Sequence, residues 1–166
     1  RTKATEWHRI SLAVLASGGD PRHMGVNGEI DLIADGTYNR GLTVSPGRQG
    51  INGWIWGLIA LDSKRYEVPS DAVNTREDFI VEILRTQRTD GGFALTGEVS
   101  DVDITAMAIQ ALAPYYNSET VYFYTSSVVK TDDGSYAECS KTVRQVVDES
   151  VAWLSSVQCS DGDFSS

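Results

Sequence analysis

Positive charge is the first shortage: 14 Lys and Arg face 23 Asp and Glu over 166 residues, a formal net charge of -9. That sign is wrong for gripping phosphate backbones or anionic lipid, so nucleic acid is not an expected partner. Cysteine is nearly absent. Cys139 and Cys159 are too few for a disulfide scaffold or a four-thiolate metal site and leave open a single bridge. Histidine is as scarce, with only His8 and His23. Long apolar runs are missing too: the longest, Trp54 to Leu61, falls far short of the roughly 20 residues a membrane span needs. No initiator Met or charged-then-apolar leader opens the chain at Arg1, so it reads as a piece cut from a longer polypeptide. What is present, 41% apolar and 22% charged residues, is the make-up of one ordinary soluble domain with a real core.

Self-similarity organises that domain. Three segments, Thr5 to Ala16, Asn52 to Asp62 and Asp103 to Ala113, each start at a small polar residue able to cap a helix and then run apolar for about three turns. The second and third are apolar nearly all round, since Trp54 and Trp56 lie about 200° apart on a helical wheel, so these helices are expected to be buried on both sides. Between them lie amphipathic segments. Asn74 to Gln87 gathers Phe79, Ile80, Ile83 and Leu84 on one side, Ser140 to Gln158 gathers Val143, Val147, Val151 and Leu154, and Val26 to Ala34 is a shorter version. Alternating buried and amphipathic helices predict two concentric layers: an all-α fold, a partial α/α toroid of about three inner/outer helix pairs. The repeats fall at about 4–38, 50–93 and 103–164 of a single domain covering 1–166.

A second periodic signal is an Asp-Gly-x-aromatic tetrad, at Asp35, Asp90, Asp133 and Asp161. Two copies carry a Gln three residues earlier. They read Gln87-Arg88-Thr89-Asp90-Gly91-Gly92-Phe93 and Gln158-Cys159-Ser160-Asp161-Gly162-Asp163-Phe164, and each is expected to end an amphipathic helix. Gly can turn left-handed there, Asp can bond nearby amides, and the aromatic can drop into the core. The Asp133 copy sits in an insertion over about 120–139, where Val121-Tyr122-Phe123-Tyr124 and Val128-Val129 read as strands of a hairpin.

With these motifs the chain resembles the prenyltransferase and squalene-cyclase repeat superfamily, whose mark is Gln-x-x-Asp-Gly-Gly-Phe between outer and inner helices of an α/α toroid. More narrowly, Gln49-Gly50-Ile51-Asn52-Gly53-Trp54-Ile55-Trp56 and Asp103-Ile104-Thr105-Ala106-Met107-Ala108 are similar to segments of uncharacterised extracellular bacterial proteins. The toroid is also similar to the helical domain of transcobalamin and intrinsic factor. The resemblance implies a secreted or cell-surface location and a fold that hosts catalysis, metal-assisted transfer and plain ligand carriage alike.

The sharpest chemical candidate is Asp101-Val102-Asp103-Ile104-Thr105-Ala106. Class II terpene cyclases of the resembled superfamily carry Asp-x-Asp-Asp-Thr-Ala, which makes Asp103 a general acid beside Asp101. Ile104 replaces the third Asp, and a general acid without tuned surroundings stays ionised at neutral pH. The plainer reading makes Asp103 a helix cap, as Asn52 is in the preceding repeat. The zinc pattern of protein prenyltransferases, Asp with Cys two positions later, finds Asp103 after Asp101, so no metal or cofactor is expected. Trp54, Trp56, Tyr115 and Tyr116 are candidates to line a lumen against a flat or polyene ligand, or are core between layers. Gly18-Gly19 and Gly91-Gly92 lack the Lys-Ser/Thr of a phosphate-binding loop, and no nucleophile elbow occurs. The expectation is a non-catalytic toroid domain binding a small molecule or protein. The alternatives are a terpene-cyclase or prenyltransferase-type enzyme using Asp103, and a corrinoid carrier. Three inner-type starts further predict half a ring, whose open flanks self-associate or pack on the rest of a parent chain.

Overall fold

The computed structural model describes residues 3–41 and 45–164. The chain divides into two compact units between Ile80 and Val81. Among the described residues there are six α-helices and one two-stranded antiparallel sheet. The all-α expectation is therefore overturned, and the fold is mixed α/β.

In the first unit, helix α1 (Ala4–Ala16) packs against α2 (Leu32–Gly36) and α3 (Ile51–Asp62). The line that α1 buries is one alanine and two polar residues, Ala4, His8 and Ser11 at i, i+4 and i+7, while Ile10, Leu12, Val14 and Leu15 stay half-buried. Gly36 lets α2 close up on α1, since a Cβ added there would stand 2.9 Å from the Trp7 Cβ. The N-terminus of α1 has no cap on its own chain neighbour. Instead Gln49, in the 3₁₀ turn Pro46–Gln49, accepts from the Thr5 amide at 3.1 Å and donates to the Thr5 hydroxyl at 2.9 Å. The expected helix over Val26 to Ala34 shrinks to α2. Met24 and Ile30 pair there as an isolated bridge, and Asp31 caps α2 by accepting from Ile33 and Ala34.

Helix α3 is buried nearly all round as expected, through Ile51, Ile55, Leu58, Ala60 and Leu61 with Gly53 and Gly57 between them. The glycines are there for close approach. A Cβ on Gly53 would meet the Pro46 carbonyl at 1.8 Å, and one on Gly57 the fully buried Phe79 ring at 2.3 Å. Asn52 lies inside α3, not at its cap, which is Gly50. Helix α4 (Arg76–Leu84) buries the expected Phe79, Ile80, Ile83 and Leu84.

The second unit holds α5 (Val102–Leu112), strands β1 (Val121–Lys130) and β2 (Tyr136–Thr142), and α6 (Val143–Val157). Only one face of α5 is buried, by Ile104, Thr105, Ala108, Ala111 and Leu112; Asp103, Ala106 and Gln110 are exposed, against the expectation of a helix buried on both sides. The hairpin is not the one expected: Val121–Tyr124 and Val128–Val129 both lie in β1, and the returning strand is β2. Tyr122, Tyr124 and Ser126 alternate inward and Val121, Phe123 and Thr125 outward, the period of a strand with one covered face. Tyr124 stands opposite Cys139 and Tyr122 opposite Lys141. Because pairing runs to Thr142, α6 begins at Val143 instead of Ser140, with Thr142 and Gln145 forming a reciprocal capping box. Of the predicted α6 stripe, Val143 and Val147 are buried, Leu154 is half-buried and Val151 is 47% exposed. Cys139 and Cys159 are free thiols. No helix is long and apolar enough to cross a membrane among the described residues.

Candidate functional site

The two motifs singled out in the sequence meet in the second unit. Asp101, not Asp103, caps α5: its carboxylate accepts from the Ile104 amide at 2.8 Å, while Asp103 sits exposed in the first turn. Thr105, fully buried, accepts from the Phe93 amide at 2.9 Å, and the Asp101 amide donates to the Phe93 carbonyl at 2.7 Å. The Asp-x-Asp-x-Thr segment is thus the seat on which the Gln-Asp-Gly-Phe turn rests. Phe93 is fully buried, as an anchor should be. Gln87 is buried as well. Its amide nitrogen donates to the carbonyls of Gly91 at 3.1 Å and Val146 at 3.0 Å, and its oxygen accepts from Lys141 at 3.4 Å. Gly91 has φ 93, and a Cβ there would lie 2.5 Å from the Glu149 carbonyl oxygen, so glycine is required twice over.

Gln158 repeats the pattern, donating to the Gly162 carbonyl at 2.8 Å, but it is exposed and Phe164 is only half-buried. Of the four tetrads, three share one backbone. In 88–92, 131–135 and 159–163 the first amide donates to the fifth carbonyl at 2.9, 2.8 and 2.7 Å, and the glycine amide to the first carbonyl at 3.0, 2.9 and 2.9 Å. Asp90, Asp133 and Asp161 each accept from the amide two residues on. This is the three-residue loop with a left-handed glycine that also joins β-strands, and the middle copy joins β1 to β2. Asp35-Gly36 is the exception, lying inside α2.

The aromatic candidates fall in different units. Trp54 and Trp56 are half-buried on α3, and Trp54 meets Phe79 edge-on, with centroids 5.1 Å apart and planes at 76°. Tyr115 and Tyr116 are half-buried after α5; Tyr116 donates to Asp148 at 2.8 Å and lies under the Arg144 guanidinium.

Two of the cavities gather polar side chains that the sequence did not bring together. One, of about 210 Å³ in the second unit, is lined by Gln87, Tyr124, Cys139, Lys141 and Glu149. Burial pushes the Tyr124 phenol well above its ordinary range, so it stays protonated. The charges here satisfy each other: Lys141 and Glu149 pair at 2.6 Å, and Lys141 also reaches Gln87. It is a closed structural network. The other, a cleft of about 410 Å³ in the first unit, is walled by Tyr38 and Tyr66 with Arg22, Asp31, Lys64 and Arg65 around them. Asn74 holds the Tyr38 loop, donating from its side chain to the carbonyls of Thr37 at 3.2 Å and Arg40 at 3.0 Å. Arg22 is gripped by Asp20 at 3.1 Å and lies 5.4 Å over the Tyr66 ring. Tyr66 is 8% exposed, and its hydroxyl has no hydrogen-bond partner among the described residues. Burial raises the Tyr66 and Tyr38 phenols, with help from Asp20 for the first and Asp31 for the second, so both remain donors. No ion pair engages Lys64 or Arg65 among the described residues, although Glu67 also lines the cleft.

Arg65 carries a further mark. It is the one non-glycine residue with positive φ, 51°, among the described residues. The Tyr66 amide donates to the Leu61 carbonyl and the Arg65 amide to Asp62, which makes Arg65 the left-handed residue of a Schellman motif closing α3. At the matching place after α1 the chain uses Gly18, with φ 85. The missing glycine after α3 is the one sequence signal that could have pointed to this cleft. No three His, Cys, Asp or Glu side chains gather as a metal site among the described residues. Compared with known proteins, the chain matches no family model, no curated relative and no solved structure.

Proposed function

We propose that the chain is a non-catalytic binding domain, part of a secreted or surface protein, whose first unit takes a small molecule in the cleft walled by Tyr38 and Tyr66. The observation that carries this reading is a cleft of about 410 Å³, within the usual size of small-molecule sites, walled in part by Tyr66, whose buried hydroxyl has no partner among the described residues. Unsatisfied buried donors are rare because each costs roughly 1–3 kcal/mol, and a ligand acceptor removes that cost. An enzyme centred on Asp103 draws less support, since that carboxylate stands in solvent on the first turn of α5. A reading as a protein-binding surface draws on α6, where Val151 is 47% exposed one turn before half-buried Leu154.

The test is a screen of small molecules against the isotope-labelled chain, reading amide shifts. Binders are expected to move the amides of Tyr38 and of 64–67. In parallel, linear isoprenoids and their diphosphates are incubated with the chain, with and without divalent metal, and no turnover is expected. A product lost on Asp103→Asn would overturn the proposal in favour of catalysis.

A further inference from the structure

We infer that the ligand of the first-unit cleft is an oxyanion, carboxylate or phosphate, borne on a flat ring, with the anion held by Lys64 and Arg65 and the ring set against Tyr38. The inference rests on the binding reading above and names the chemistry that the site selects. Three observations lead to it independently. The chain is acidic overall, yet this cleft is lined by three cations, Arg22, Lys64 and Arg65, against two carboxylates, Asp31 and Glu67, and among the described residues only Arg22 is matched by a carboxylate, that of Asp20, at hydrogen-bond distance. Of the two lining carboxylates, Asp31 is occupied capping α2, and Glu67 makes no ion pair with Lys64 or Arg65 among the described residues. Charge-assisted hydrogen bonds to an oxyanion are about twice as strong as neutral ones, so two uncommitted cations beside one another define the anion end.

The second observation is conformational. A left-handed arginine is strained where glycine is not, and the chain demonstrates the unstrained solution at Gly18. A cost of this kind is sustained by what the side chain does, and at Arg65 the side chain borders the cleft. The third is the Tyr66 hydroxyl, a buried donor on a cleft-wall residue with no acceptor among the described residues, to which an oxyanion that reaches it offers one. The two tyrosines make the rest of the wall aromatic, a surface that favours a flat ring in offset or edge contact.

The isotope-labelled full chain is titrated at constant ionic strength with benzoate, phenyl phosphate, inorganic phosphate, benzyl alcohol and benzamidine. Saturable shifts at Tyr38 and 64–67 are expected from benzoate and phenyl phosphate, with affinity at least about tenfold above that for benzyl alcohol or benzamidine. Lys64→Gln and Arg65→Gly are each expected to weaken phenyl phosphate about fivefold or more, while Arg65→Gly keeps or raises the melting temperature, which separates lost binding from lost folding. Benzyl alcohol binding as well as benzoate would overturn the anion assignment and leave the cleft a binding site. Inorganic phosphate matching phenyl phosphate would overturn the aromatic part. Silence from every probe would remove both this inference and the binding reading beneath it.

Discussion

Acidification between pH 7 and 5 should destabilise this protein through one residue, His8. The ring is fully buried, and its Nε2–H donates to the Gly36 carbonyl at 2.7 Å. A carbonyl can only accept, so the proton sits on Nε2 and Nδ1 is left as a buried lone pair without a partner among the described residues. Protonation would place an N–H and a positive charge in that spot, with Arg40 also contributing unfavourably. Burial is the dominant cause; the Gly36 bond opposes it in part, and the pKa is lowered from 6.5 to about 4. A group whose folded pKa is depressed contributes stability that is present above the unfolded value and is lost as pH falls through it toward the folded one. The loss therefore begins near pH 6.5 and is complete near pH 4, reaching about 3 kcal/mol in total and about 2 kcal/mol by pH 5. The depressed carboxylates Asp20 and Asp133 lose their contributions only below their ordinary 3.8, outside this window. Denaturant unfolding at pH 7.5, 6 and 5 measures the slope, and the His8 ring proton resonances should show a neutral imidazole at pH 5. His8→Gln, which keeps an N–H donor and cannot titrate, should flatten the profile over this interval. An unchanged unfolding free energy between pH 7.5 and 5, or an equal slope in His8→Gln, would refute the reasoning.

Other substitutions test the packing and turn arguments. Phe93→Ala should cost about 3–5 kcal/mol by emptying a fully enclosed site, read as a fall in the denaturation midpoint; an unchanged midpoint would remove its anchor role. Gly57→Ala gains about 1 kcal/mol of helix propensity yet should still destabilise by calorimetry. The added Cβ would lie 2.3 Å from a Phe79 ring locked against Trp54, and overpacking of that kind costs about 1–3 kcal/mol. Arg65→Gly should raise the unfolding free energy by about 0.5–1 kcal/mol, the left-handed strain removed less the entropy that glycine adds to the unfolded chain. A loss of stability there would show that the arginine side chain supports the fold itself.

What could be read beforehand was whatever local pattern controls. Helix α3 was legible because apolar residues occupy every side of its wheel, and the Gln87 and Gln158 turns because Gly and Asp act on the few residues around them. The α4 stripe was legible for the same reason. Helix α5 was misjudged: Ala106 and Gln110 do not advertise a solvent face strongly, and nothing in the segment says that only Ile104, Thr105, Ala108, Ala111 and Leu112 are covered. The capping assignment slipped by two residues because Asp101 and Asp103 are chemically the same and only the backbone path distinguishes them. The returning strand was not legible, and Val128–Val129 stood in its place, since β2, Tyr136–Thr142, is rich in polar residues and takes its form from pairing with β1. The first-unit cleft was invisible because Arg22, Tyr38 and 64–67 come from three separate loops. Each is ordinary alone, and only tertiary closure leaves a phenol unpartnered and an arginine left-handed among them.

The shared five-residue corner means that this chain is interchangeable at a scale smaller than a helix. One backbone path serves at the end of α4, at the tip of the β1–β2 hairpin and after α6, so the corner is indifferent to what enters it. The residue just before it decides. Where that residue is Gln87 or Gln158, its amide reaches the glycine carbonyl and ties the corner to the helix it ends; where it is Lys130, the side chain lies over the Tyr136 ring and the strand simply turns back. A segment bounded by such corners can be spliced in or exchanged without redrawing its neighbours. Grafting Arg88-Thr89-Asp90-Gly91-Gly92 in place of 131–135 should leave the hairpin register intact, from Val121 opposite Thr142 to Lys130 opposite Tyr136.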